Sequence, residues 1–137
     1  MQKRLPLIMD SVVGAGVKHC VIMSAYGVGD TVRSASFFMR VGCKIMMRSI
    51  FTDRAKADAM VAKYQPYISR VHPGLLTDKP GKGGVKVFDV ASVARVPGIP
   101  MIAREDVADA LLSIAGNPLN AGTDFLVTID DVVLRAT

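Results

Sequence analysis

Residues 18–30 read Lys-His-Cys-Val-Ile-Met-Ser-Ala-Tyr-Gly-Val-Gly-Asp, a short apolar run that stops at a serine and enters a glycine-rich loop. An apolar run this short, with glycines before it and Ser24 after it, reads as a buried strand over Lys18–Met23. Upstream, residues 5–16 read as a helix. Pro6 suits its first turn, where a missing N–H costs nothing, and Gly14-Ala15-Gly16 supplies its stop. Downstream, Arg33–Lys63 is helical with a break near Ser49–Asp53, where Thr52 or Asp53 can cap a second piece. In that piece Ala55, Ala59, Met60 and Ala62 give a small-residue face suited to packing on a sheet. Tyr67–His72 is the next strand, ended by Pro73-Gly74, and Asp78–Gly84 is a loop. Val85–Val96 reads as a strand with a short helix, and Ile99–Ile102 as a further short strand. Arg104–Ala115 is an amphipathic helix with Val107, Ala108, Leu111 and Leu112 inward, and Glu105 and Asp106 complement the dipole at its start. Thr123–Ile129 is the last strand. Strands alternating with helices imply an α/β fold with a mainly parallel sheet and helices on both faces.

The bulk properties fit that reading. Half of the 137 residues are apolar, enough for one domain with a real core. No apolar run reaches the roughly 18–20 residues that cross a bilayer, so no membrane is expected. Pro6, Asp10 and Lys18 interrupt any apolar leader. Cys20 and Cys43 are too few for a disulfide scaffold and lack zinc spacing, which points to reduced thiols and a cytoplasmic setting. The net charge of +5 suits a phosphate-rich ligand. Arg33, Arg40, Lys44 and Arg48 recur on one helix face, which reads as a solvated face. A nucleic-acid groove is not expected, because few aromatic residues are interleaved to stack on bases.

In open parallel sheets ligands sit beyond the carboxyl ends of the strands. Ser24-Ala25-Tyr26 and His72-Pro73-Gly74 occupy those positions here. The usual dinucleotide fingerprint is missing. Gly14-Ala15-Gly16 precedes a strand instead of following one, and Gly27-Val28-Gly29 continues to Val32 where a third glycine belongs. Gly81-Lys82-Gly83-Gly84 lacks the spacing of a phosphate-binding P-loop, and no metal motif is present. No tyrosine has a lysine four residues on: Asp30 follows Tyr26, Ile68 follows Tyr64 and Val71 follows Tyr67. His19 falls in the strand and reads as structural, while Arg70 reads as an edge or paired position. Ser24 and His72 are each either a site residue or an ordinary strand-end group.

With those residues noted, the chain resembles the C-terminal half of atypical short-chain dehydrogenases/reductases that bind NAD(P)H, the biliverdin- and flavin-reductase-like proteins. The likeness runs through Ala15-Gly16-Val17-Lys18 into Val21–Ala25, then Tyr26–Asp30, then His72–Asp78 with Pro80-Gly81, then Ile102–Asp109. It implies a single Rossmann-type domain over residues 1–137 that lacks the N-terminal βαβ segment, a truncated copy. It implies NADP or NAD as cofactor and a small carbonyl, flavin or quinone-like substrate. Ser24 and Ala25 would line the nicotinamide end, and His72, Pro73, Gly74 and Leu75 would pass close to the ring. Ser24 is the catalytic candidate, through a hydrogen bond to a substrate oxygen. The chain departs from the pattern at His72 and Leu75, which stand where relatives carry arginines, and at Ile50 and Arg54, which fall where a Tyr–Lys pair is common. Two functional readings stay open, an oxidoreductase and a non-catalytic dinucleotide sensor or scaffold. A strand that belongs in mid-sheet but has an open edge also predicts a homo-oligomer or a covering partner chain.

Overall fold

β1 (Cys20–Met23) runs parallel to β2 (Ile68–Pro73), with Cys20 opposite Ile68 and Met23 opposite Val71. In the computed structural model, residues 4–27, 56, 59–98 and 100–134 are described. Among them, β7 (Phe125–Thr128) lies parallel to β2, and β4 (Lys86–Asp89) closes the other side antiparallel to β7. The main sheet therefore has the order β1-β2-β7-β4. Two small sheets accompany it. β3 (Leu75–Thr77) pairs in parallel with β6 (Met101–Ala103), and β5 (Val93–Arg95) pairs antiparallel with β8 (Val133–Leu134).

Strand alternation sends neighbouring residues to opposite faces, and each face has its helix. α1 (Leu5–Gly14) brings Met9, Val12 and Val13 onto Cys20, Ile22 and Ile68, together with Val61 and Tyr64. α2 (Arg104–Ala115) brings Val107, Ala110 and Ile114 onto Val21, Val71, Phe125 and Val127. A third cluster, Tyr26, Val93, Val96 and Leu126, fills the space beside β7. The mixed α/β architecture with helices on both faces of a mostly parallel sheet is the expected one.

Several local readings are corrected. Val107, Ala110 and Ile114 form the buried line of α2, while Ala108 is exposed and Leu112 is 73% exposed. At about 100° per residue both fall a quarter turn or more from that line, so one face cannot hold all four expected positions. Ala59, Met60 and Ala62 also point outward, because Val61 and Tyr64 take the inward positions. Residues 75–77 and 133–134 form strands where none was expected. Val28–Asp30, Cys43, the basic face Arg33/Arg40/Lys44/Arg48, the Ser49–Asp53 break, Ile50, Arg54 and Ala55 lie outside the described residues.

The ends of the sheet are tied by polar contacts. Arg70 donates through Nε to Asp124 Oδ1 at 2.9 Å and pairs through its terminal nitrogen with Oδ2, which locks β2 to the start of β7. The paired position expected for Arg70 is therefore the observed one. Tyr64 donates its hydroxyl to Asp10, tying the 3-10 turn Ala62–Tyr67 to α1.

Candidate functional site

The carboxyl ends of β1 and β2 remain joined beyond β1. Ser24 N–H donates to Val71 O at 2.8 Å, and Tyr26 N–H donates to Pro73 O at 2.9 Å. Gly74 N–H still reaches Val127 O at 3.3 Å, but Leu75 N–H turns to Pro100 O at 2.7 Å. The chain therefore changes partner between Gly74 and Leu75, leaving β7 for the β6 edge. A split of this kind at the carboxyl ends of parallel strands is where ligands lodge in open α/β sheets.

Ser24 and His72 are each 3% exposed there. The His72 ring stands with Nδ1 3.3 Å from Ala25 O. A carbonyl only accepts, so Nδ1 carries the hydrogen in that contact. The bond links the two site segments directly, joining the Ser24–Ala25 stretch to β2. Gly74 is held close to Pro100: a Cβ there would lie 2.9 Å from the Pro100 carbonyl carbon. Leu75, one residue on, is 51% exposed beside Met101. The structure thus brings Ser24, Ala25, His72, Pro73, Gly74 and Leu75 into one hydrogen-bonded neighbourhood.

His19 stands at the other end of β1. Its Nε2 is 2.9 Å from Ser69 Oγ, and Ser69 donates its hydroxyl to Asn120 O at 2.6 Å. With the serine proton used there, Nε2–H must be the donor of the first bond. Nδ1 of His19 is, among the described residues, the one buried side-chain polar atom without a hydrogen-bond partner. This histidine braces the amino ends of the strands, as its place in the sequence suggests. Beside it, burial pushes the Cys20 thiol up from its ordinary pKa by desolvation.

Sequence reasoning missed Pro100, which walls Gly74, because nothing in the local pattern marks a partner so far along the chain. It also read Glu105 and Asp106 only as dipole-complementing acids, whereas both bond the 81–83 loop. Among the described residues no three His, Cys, Asp or Glu side chains cluster to hold a metal. None of the described helices is long and apolar enough to cross a membrane.

The donor set fits one end of a dinucleotide. A buried hydroxyl, an imidazole and a close-packed backbone suit a flat, neutral ring with amide and carbonyl groups. Among the described residues no glycine-rich turn leads from a strand into a helix, the feature that receives a pyrophosphate.

The architecture is that of a Rossmann-like α/β protein. The NAD(P)H-binding family model matches residues 2–118, and the chain belongs to that family. No curated protein matches it. Among solved structures it resembles ChuY from the Escherichia coli CFT073 strain, at 17% identity with a TM-score of 0.69, covering 95% of this chain and 66% of that one. ChuY of E. coli O157:H7, described as an anaerobillin reductase, is similar at 16% identity and a TM-score of 0.69, with 93% and 57% covered. A short-chain dehydrogenase/reductase of Veillonella parvula DSM 2008 in complex with NADP is similar at 12% identity and a TM-score of 0.73, with 93% and 58% covered. The chain spans about half to two thirds of the length of these structures. Identities this low carry the fold.

Proposed function

We propose that this chain carries the nicotinamide and substrate side of an NAD(P)H-dependent oxidoreductase acting on a small carbonyl, flavin or quinone-like compound. The observation that carries the reading is the junction of Ser24–Tyr26 with His72–Leu75 at the carboxyl ends of parallel strands, in a chain of the NAD(P)H-binding family. Reductase neighbours of the same fold support it. When bound, the dinucleotide supplies a hydride from its nicotinamide ring.

The chain's own residues would orient and polarise. Ser24 offers a hydroxyl that hydrogen-bonds the substrate oxygen and steadies the charge developing there. His72, fixed by Ala25 O, sets the wall behind Ser24–Ala25. Gly74 and Leu75 carry that wall toward β6, with a backbone close enough for a flat ring to pack on it. Burial of Ser24 and His72 keeps bulk water from competing for those contacts.

Isothermal titration of this chain with NADPH and NADH tests the reading. Saturable binding that Ser24→Ala leaves in place, while slowing turnover of a quinone or carbonyl probe about 10-fold to 1000-fold, is the expected result. No heat and no thermal shift at millimolar cofactor would remove the dinucleotide reading for this chain. Binding with no turnover of any probe favours the sensor reading of the same fold. A second part of the proposal concerns assembly. β1 ends the sheet order among the described residues, which supports a second copy or partner chain beside it. Monomeric sedimentation at micromolar concentration would refute that part.

A further inference from the structure

Asp106 lies in the first turn of α2 and is 4% exposed. A buried carboxylate is costly unless its oxygens are satisfied. Backbone meets the need here: Oδ2 accepts from Lys82 N–H at 3.2 Å and Oδ1 from Gly83 N–H at 3.0 Å. Glu105, its neighbour, accepts from Gly81 N–H at 2.8 Å. Three consecutive amides therefore end on two adjacent carboxylates. Arg104, the residue before them, reaches Asp78 at 3.2 Å. Gly81 is fitted to this clasp, because a Cβ would stand 2.7 Å from Asp106 Oδ1 and 3.1 Å from Glu105 Oε2.

The other end of the same segment is pinned as well. Leu75 N–H bonds Pro100 O at 2.7 Å, and β3 then pairs rung by rung with β6, from Leu75 opposite Met101 to Thr77 opposite Ala103. Between these two anchors Leu76 and Ile102 join the core under α2. The segment from Gly74 to Gly83 is thus held at both of its ends.

We propose that residues 74–83 and 100–106 form one continuous wall of the site, and that Asp106, assisted by Glu105, is the positioning residue that holds it in place. With the clasp made, Gly74 and Leu75 are held at the strand split; with it released, the strap from Asp78 to Gly84 swings away and the split widens. The consequence for ligand binding rests on the dinucleotide reading above, whereas the clasp does not.

Amide hydrogen exchange by NMR on the intact chain tests it, using Glu105→Gln and Asp106→Asn. The geometry assigns a residue-specific pattern. Glu105→Gln speeds exchange at Gly81 and leaves Gly83 at the parent rate. Asp106→Asn speeds Lys82 and Gly83 at least about tenfold, the loss expected for a charge-assisted hydrogen bond. Leu75 N–H follows several-fold in Asp106→Asn, while Val71 and Val127 keep the parent rate, which a general loss of stability would not spare. Parent rates at Lys82 and Gly83, or an unmoved Leu75, overturn the proposal. If Asp106→Asn releases Val71 and Val127 too, Glu105→Gln decides: faster exchange at Gly81 and Leu75 with Val71 and Val127 at the parent rate supports the clasp, and an unchanged Gly81 or Leu75 overturns it. NADPH titration of the same variants separates the two readings, since the exchange pattern without dinucleotide binding upholds the clasp and removes only its functional role.

Discussion

Gly74→Ala puts the wall of the site under direct strain. The Gly74 backbone is outside the left-handed region, so alanine meets no conformational bar and the penalty is one of contact. The new Cβ would lie 2.9 Å from the Pro100 carbonyl carbon, 3.1 Å from Pro100 Cβ, and nearer still to the carbonyl oxygen. Carbon atoms settle at about 3.5–4.0 Å, so β3 and the segment before β6 must part by roughly half an ångström to an ångström. Overpacking of this kind costs about 1–3 kcal/mol. Weakening the Leu75 N–H bond to Pro100 O adds about 0.5–1.5 kcal/mol. Alanine also restricts the unfolded chain, which offsets about 0.4–1 kcal/mol. The net loss is about 2 kcal/mol, which for a chain of this size lowers Tm by roughly 8 °C. Differential scanning calorimetry measures it against Gly14→Ala. Gly14 ends α1 with no atom within 4 Å of the place a methyl group would take, so alanine there should raise stability by about 0.5–1 kcal/mol. A Gly74→Ala protein that melts with the parent, beside a Gly14→Ala protein that melts higher, would refute the Pro100 wall.

Asp124→Ala removes the carboxylate that pairs with Arg70, where the two side chains are 13% and 17% exposed, so it should cost about 1–3 kcal/mol by urea unfolding. Asp124→Asn, which keeps an acceptor for Nε, should cost less, and equal losses would show that the charge is irrelevant. Tyr64→Phe removes the hydroxyl bond to Asp10 and should cost about 1 kcal/mol, read as a lower urea midpoint with an unchanged slope. In a Cys43→Ser background, Cys20 should alkylate more slowly than free cysteine near pH 8. Burial raises its thiol pKa, so less thiolate is present at any given pH and the rate climbs only at higher pH. Alkylation as fast as free cysteine would contradict that burial.

What the sequence made legible was set by local pattern. The Lys18–Met23 run and the 67–72 run carry the strand signal in their apolar and β-branched residues, and both strands are present as β1 and β2. Ser24 and His72 followed from topology alone, since strand ends in a parallel sheet point to one side. Their link through Ala25 O was not legible, because it joins segments far apart in the chain. β3 was hidden for a different reason. Pro73-Gly74 has the composition of a strand stop, yet the chain only exchanges one partner strand for another there. Leu112 misled the helix reading because an apolar side chain on the solvent side leaves the same imprint as one in the core. The acids Glu105 and Asp106 announced a helix start correctly, while their loop partners lie in a segment that no helical periodicity could indicate.

The exchange of partners also accounts for the order of residues at the split. Pro73 has no N–H to offer, and its carbonyl is the group the ladder needs, accepting from Tyr26. Gly74 gives the last bond to β7 and, lacking a Cβ, lets Pro100 approach the backbone. Leu75 then donates to Pro100 and begins the new pairing. Each position is filled by a residue whose backbone chemistry matches one step of the transfer, so the segment is determined by hydrogen bonding before any ligand is considered. A wall built this way is rigid at the strand split. The backbone at the split is thus set by the fold itself, and any ligand lodging there would meet it already in place.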